Sequence, residues 1–180
     1  MQLSLAITIR HRLDLCQERG IVLLEEEIIG LLVESGKTLA VAESCTGGLI
    51  GHRLTQVPGS SAAFLGGVIA YHNSVKEKTL RVPPDVLERE GAVSEATALA
   101  MADGVRRLLG ADVALAVTGT AGPTGGTKDK PVGLTYIALS AAPDVRICER
   151  HLWRGNRRQN KDSSAMAALS LLRRHLKRRV

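Results

Sequence analysis

The sequence predicts an α/β fold: a single-domain three-layer α/β/α sandwich with a mixed β-sheet. Three observations lead there. Short apolar runs alternate with helical stretches through most of the chain. Two later runs, 132–141 and 145–153, flank a turn at Pro143-Asp144 and read as a hairpin. No linker, repeat or low-complexity segment divides the 180 residues, of which 44% are hydrophobic and 23% charged, enough for one domain with a real core. Aromatic residues make up only 2%, so that core is built from Leu, Val, Ile and Ala.

The elements follow in order. Ile28, Ile29, Leu31, Leu32 and Val33, behind acids in the first turn, predict a helix over 25–35 that Gly36 ends. The apolar run 39–42 predicts a strand. It breaks at Glu43-Ser44-Cys45-Thr46, meets Gly47 and Gly48, and leads into a helix over 49–54. Val57-Pro58-Gly59-Ser60-Ser61 reads as a loop. Residues 64–71 read as a strand whose Gly66 and Gly67 imply that something approaches its backbone closely. Asn73 is expected to cap a short helix through Leu80. Val82-Pro83-Pro84-Asp85 stops that helix and starts another short piece to Glu90. Ser94 and Gly110 bound an amphipathic helix over 95–109. A buried strand at 112–118 runs into a loop, GTAGPTGGT (119–127), with four glycines in nine residues. In the hairpin, the alternation Val145, Ile147, Glu149, His151 predicts one partly wet face. Asn156 begins a last helix carrying Met166, Leu169, Leu172 and Leu176.

Composition excludes several classes. The net charge is +6, and Arg173, Arg174, Lys177, Arg178 and Arg179 crowd one terminus. A basic helix end suits the macrodipole, and this reading is preferred to a nucleic-acid patch. The scarcity of aromatic side chains argues against stacking on single strands. Cys16, Cys45 and Cys148 form no CxxC pair, which fits free thiols in a reducing, cytoplasmic setting with no zinc site. His and acidic residues do not cluster at metal-ligand spacing, so neither metal nor cofactor is expected. No apolar stretch reaches membrane-span length. Apolar residues 1–9 precede Arg10, His11 and Arg12 without a small-residue cleavage site, and are not read as a signal peptide. The chain is divided into an N-terminal extension, 1–22, and one domain, 23–180.

The chemistry centres on residues 38–76. A strand, a tight polar turn and a glycine-opened helix can expose a nucleophile. Ser44 is the candidate. If the runs 39–42 and 64–70 are neighbouring strands, Tyr71, His72, Asn73 and Lys76 lie at the same sheet edge. Lys76 can then serve as general base, provided burial or nearby positive charge lowers its pKa. Tyr71 could relay a proton or orient the lysine. The N–H groups near Thr46, Gly47 and Gly48 could form an oxyanion hole. Cys45 with His72 is a weaker alternative, His52 another basic candidate, and a plain helix cap at Ser44 with a solvated Lys76 the structural one. The glycine loop could hold phosphate through its N–H groups, with Lys128 and Lys130 adding charge, although it matches neither a Walker loop nor a dinucleotide fingerprint.

The segments AESCTGG (42–48), VPGSSAAFLGGVIAYHN (57–73) with Lys76, GAVSE (91–95) and TGTAGPTGGT…KPVG (118–133) together resemble the CinA carboxy-terminal-domain family over about 23–176. Its characterised enzymes are nicotinamide mononucleotide deamidases. The resemblance implies a metal-free, homo-oligomeric α/β amidohydrolase, in a stand-alone version, that hydrolyses the carboxamide of this nucleotide. It implies Ser44 as nucleophile and Lys76 as its dyad partner, with Tyr71 and Asn73 shaping the pocket. Ser94, Thr118, Gly119, Gly122, Gly125, Gly126, Thr127 and Lys130, with Thr46, Gly47 and Gly48, would line the nucleotide site. The sequence departs from the family at Gly155-Asn156-Arg157, where an aspartate is usual in the middle, at Asn160, where an aliphatic residue is common, and at Lys128-Asp129, where acids are more frequent. The alternative reading is a non-catalytic nucleotide-binding or interaction module of the same fold.

Overall fold

The computed structural model describes residues 23–178. The expectations for the 1–22 extension, for Cys16 and for Arg179 lie outside these residues. The elements are α1 (Leu24–Glu34), β1 (Leu39–Glu43), α2 (Leu49–Thr55), β2 (Phe64–Ile69), α3 (Asn73–Lys78), α4 (Pro84–Glu90), α5 (Glu95–Leu109), β3 (Val113–Gly119), β4 (Leu134–Ala141), β5 (Val145–Leu152) and α6 (Arg157–Lys177).

The five strands lie in the order β2-β1-β3-β4-β5. β1 is parallel to both β2 and β3, while β3–β4 and β4–β5 are antiparallel. The mixed sheet and the late hairpin are as the sequence predicts. Alternation along the central strands sorts the two faces. Leu39, Val41, Val113, Leu115 and Val117 join the cluster that packs under α1, α2 and α6. Ala40, Ala42, Ala114 and Ala116 form the other face, under α5. Large aliphatic side chains on one side and alanines on the other follow from the period of two. Both faces are buried, so β1 is buried at all five positions.

β1 is the strand from which the chain first steps to one side, to β2, and later resumes on the other, at β3. The carboxyl end of β1 is therefore a topological switch point, the usual place for a ligand crevice in an open α/β sheet. Ser44 is the first residue beyond it, and its N–H donates to the Val117 carbonyl of β3 (2.9 Å).

Three local expectations are refined. His72, not Asn73, caps α3: its Nδ1 accepts from the Ser74 N–H (3.2 Å), and the helix stops at Lys78. The loop after α2 contains a single 3-10 turn, Ser60–Ala62. The close approach to Gly67 comes from β1 itself, because a β-carbon there would lie 2.4 Å from Val41 Cγ2. That glycine reports strand packing and no ligand.

Three cations of the basic terminus pair with acids of neighbouring elements. Arg173 (3.4 Å) and Lys177 (2.5 Å) both pair with Glu27 of α1, and Arg174 pairs with Glu149 of β5. These pairs tie the end of α6 to its neighbours, where the sequence reading expected a solvated helix end.

Gly104 lets α5 lie against the chain that follows α3. A β-carbon there would meet the Leu80 carbonyl oxygen at 2.1 Å. Glycine to alanine inside a helix ordinarily stabilises by about 1 kcal/mol. Here the sign should reverse. Gly104→Ala is expected to lose about 1–3 kcal/mol in urea unfolding, the cost of overpacking, and a gain would contradict this packing.

Candidate active site

The two strand ends bring Ser44 and Lys76 together. β1 and β2 are parallel neighbours in register Glu43↔Ile69, so Ser44 and Ala70 leave the sheet side by side. The chain then turns through Tyr71 and His72 into α3, whose first turns carry Lys76 back beneath Ser44. Lys76 Nζ lies 3.3 Å from Ser44 Oγ. It also donates to the carbonyls of Ala70 (2.7 Å) and Tyr71 (3.3 Å). Lys76 is 1% exposed and Ser44 8%.

Among the described residues no carboxylate forms an ion pair with Lys76. Burial lowers its pKa from the ordinary lysine value, and the nearby Cys45 sulfur opposes that only in part. With two N–H groups on the two carbonyls, a neutral amine turns its lone pair to the serine hydroxyl, whereas an ammonium donates its third N–H there. The structural alternative of a solvated Lys76 is therefore replaced by a buried amine touching the hydroxyl.

The turn after Ser44 differs from the expected oxyanion hole. Glu43, 1% exposed, folds its carboxylate over the start of α2. It accepts from the N–H groups of Gly48 (3.0 Å), Ile50 (3.1 Å) and Gly51 (2.9 Å). The Gly47 N–H is turned back to the Ser44 carbonyl (3.2 Å). The Gly48 N–H is thus not open to a substrate, and the helix start is already neutralised by a carboxylate. Glu43 stood in the sequence as part of the AESCTGG motif, but its role as a cap from within the strand required the fold. Thr46 is fully buried, and its Oγ1 has no hydrogen-bond partner among the described residues. An orphaned buried hydroxyl costs about 1–3 kcal/mol. Its place beside Ser44 keeps it in the candidate set.

The thiol alternative does not form. Burial pushes the Cys45 thiol up to about 11, away from the reactive thiolate. His72 is exposed, with Nδ1 engaged by the backbone N–H and the hydroxyl of Ser74. His52 is exposed on α2 and makes no recorded contact with Ser44.

The remaining candidates divide. Tyr71 touches Lys76 through its carbonyl, while its phenol, 62% exposed overall, accepts from Arg157 (3.1 Å). An orienting part for Tyr71 fits this geometry; a direct proton relay to Lys76 does not. Asn73 is exposed at the start of α3. Thr118 and Gly119 end β3 next to the Ser44 turn, and Thr118 Oγ1 donates to the Ala92 carbonyl (2.6 Å). Ser94 accepts from the Thr97 N–H (3.2 Å) and caps α5, a structural duty. Ser94 and Lys130 line a cavity of about 490 Å³ with Glu95 and Tyr136, and Lys130 also donates to the Glu90 carbonyl. Gly122 is buried, and its carbonyl accepts from Arg157 (2.8 Å). Gly125, Gly126 and Thr127 are exposed on the loop.

Arg157 links the glycine loop to Tyr71, and Lys161, one turn further along α6, lies over Gly47. A β-carbon on Gly47 would be 3.6 Å from Lys161 Nζ. The sequence reading chose neither, because only the fold brings the last helix to the first strand. The departures at 156 and 160 are locally satisfied. Asn156 Oδ1 accepts from the Gln159 N–H (3.0 Å), and Gln159 Oε1 from the Asn156 N–H (2.9 Å), a complete capping box. Asn160 Nδ2 donates to the Ala121 carbonyl (3.1 Å), and its Oδ1 accepts from the Gly155 N–H (3.0 Å).

A lysine whose pKa falls on folding binds fewer protons folded than unfolded, so it makes stability rise with pH. Its unfavourable contribution is fully present below the folded pKa and disappears above the ordinary lysine value. The stability of the native chain, measured against Lys76→Met, should therefore climb as pH rises from neutrality through the lysine range. A pH-independent difference would mean that Lys76 is not perturbed. Separately, Glu43→Ala is expected to lose at least about 3 kcal/mol, since charged hydrogen bonds contribute about 1.5–3 kcal/mol each. Chemical unfolding measures it, and a loss near zero would contradict the cap.

Comparison with known proteins places this geometry in a family. Residues 22–176 match the model of the CinA C-terminal domain. A CinA-like protein of Desulfotalea psychrophila is 54% identical over 151 residues, 83% of this chain and 36% of that protein. A putative competence-damage inducible protein of Desulforudis audaxviator is 48% identical over 156 residues, 87% of this chain and 38% of its own length. The chain thus spans less than half the length of these curated relatives. Among solved structures, competence/damage inducible protein CihA from Agrobacterium tumefaciens superposes with a TM-score of 0.83 at 38% identity, covering 86% of this chain and 93% of that one. The chain belongs to the CinA C-terminal-domain family.

Proposed function

We propose that this chain is an amidohydrolase acting on the carboxamide of nicotinamide mononucleotide through Ser44 and Lys76, a step in pyridine nucleotide recycling. The observation that carries the reading is the buried, carboxylate-free lysine amine 3.3 Å from the serine hydroxyl. The substrate class comes from the family resemblance. The glycine loop, with Arg157 bound to Gly122 and Tyr71 and Lys161 over Gly47, supports an anionic ligand.

In this mechanism Ser44 Oγ attacks the carboxamide carbon while its proton passes to neutral Lys76. The resulting lysine ammonium returns that proton to the leaving nitrogen as the C–N bond breaks, so ammonia departs and an acyl ester remains on Ser44. Water then attacks the ester, Lys76 takes its proton again, and the carboxylate product leaves with the serine hydroxyl restored. The two carbonyls that hold Nζ keep the amine in place through both half-reactions.

A nucleotide-binding module without turnover is the second reading. The usual aspartate is replaced at Asn156, although the amide keeps the helix cap intact. It predicts ligand binding with no ammonia released.

The test is ammonia release from nicotinamide mononucleotide by the purified protein without added metal. Ser44→Ala should lower kcat by at least about 10³-fold, since removing a nucleophile leaves only residual catalysis, with its unfolding midpoint close to that of the parent. Lys76→Arg should be similarly inactive, because a guanidinium stays protonated. The log of kcat/KM should rise with pH to a plateau reached below the ordinary lysine range. Full activity of Ser44→Ala would overturn the mechanism, and binding without turnover by the parent would favour the module.

A further inference from the structure

The amide chemistry generates a charge that the turn's N–H groups meet only in part. Attack by Ser44 generates an oxyanion, and such sites ordinarily meet it with free N–H groups. Here the nearest turn has few to offer. The Gly48 N–H belongs to Glu43, and the Gly47 N–H to the Ser44 carbonyl. That leaves the N–H groups of Cys45 and Thr46, which donate to no backbone carbonyl among the described residues.

Lys161 stands over this turn from α6. Gly47, at φ +65°, has no side chain to fill the space, and a β-carbon there would reach Nζ at 3.6 Å. Gly47 itself is exposed, so the space between turn and lysine is open to a ligand. Lys161 is half-buried and makes no hydrogen bond or ion pair among the described residues, although its charge acts on the Cys45 side chain. Its helix position is fixed by the preceding residue. Asn160 is 2% exposed and anchored to Ala121 and Gly155. The other cations near the site are engaged: Arg157 with Gly122 and Tyr71, Lys130 with Glu90.

We infer that Lys161 is the electrophilic residue of the site, its ammonium meeting the oxyanion that forms when Ser44 adds to the acyl carbon. This rests on the serine acyl-transfer reading above and extends it. The site then gives two lysines different parts. Lys76, buried against carbonyls, takes the proton; Lys161, at the open side of the turn, meets the oxyanion.

The experiment compares Lys161→Met, Lys161→Arg and Ser44→Ala with the parent on nicotinamide mononucleotide and on p-nitrophenyl acetate, an acyl donor without phosphate. Lys161→Met should lower kcat on the nucleotide by about 10²-fold, the loss typical of one oxyanion donor, with KM changed by less than about threefold. Its Ser44-dependent ester hydrolysis should slow comparably, and Lys161→Arg should restore most of both rates. A Lys161→Met protein with unchanged kcat and unchanged ester hydrolysis, but a raised KM for the nucleotide, would overturn the inference and assign the lysine to the phosphate. Slowed Ser44-dependent ester hydrolysis in a protein inert toward the nucleotide would uphold the inference and reject the deamidase reading. Absence of Ser44-dependent turnover on either substrate would overturn both.

Discussion

A lysine amine has been taken out of water at the carboxyl end of β1 and, among the described residues, given no carboxylate. Burying an isolated ammonium costs several kcal/mol even after relaxation, and that cost pulls the Lys76 pKa down from the ordinary lysine value. Ala70 and Tyr71 supply the two carbonyls that fix its N–H groups. Those carbonyls are the residues that leave β2, and Lys76 sits in the helix that follows. The crossover from β1 to β2 and the short return into α3 place base and nucleophile within 3.3 Å. The alanine face of β1 and β3, and Gly104 of α5 against Leu80, let the elements behind the lysine pack closely enough to exclude water.

Glu43 sets the second constraint. Its carboxylate occupies the amide groups that a nucleophile turn would otherwise offer. The start of α2 is therefore a structural anchor, holding the turn rigid through a charge that never faces the ligand. Burial of Cys45 beside it keeps the thiol protonated and out of the chemistry. Positive charge reaches the turn from the far end of the chain, from Lys161 on α6.

Much of the fold was legible because its signals are local. Ser94 and Gly110 bracket α5, Gly36 follows α1, and alternation along residues 113–117 reports two buried faces. Ser44 and Lys76 could be paired because two apolar runs, each followed by a polar cluster, read as neighbouring strands. What the sequence hid depends on long-range packing or on fine geometry. Glu43 looks like one more polar residue after a strand until α2 folds back onto it. Tyr71 reads as either a proton relay or an orienting group for the lysine, and its phenol turns to Arg157, a residue 86 positions away. Asn73 is the better cap by type, and only the turn geometry selects His72. Asn156 and Asn160 are departures from the family pattern in sequence, but each finds its partners in space.

The account stands on the charge state of one side chain. The most direct measurement is an NMR titration of lysine Cε and Nζ in isotopically labelled protein, with Lys76 assigned by comparison with Lys76→Met. A midpoint well below that of the exposed lysines in the same spectrum is the predicted result. A midpoint among theirs, or above it, would mean that Lys76 is a charged structural cation, and the serine beside it would lose its base.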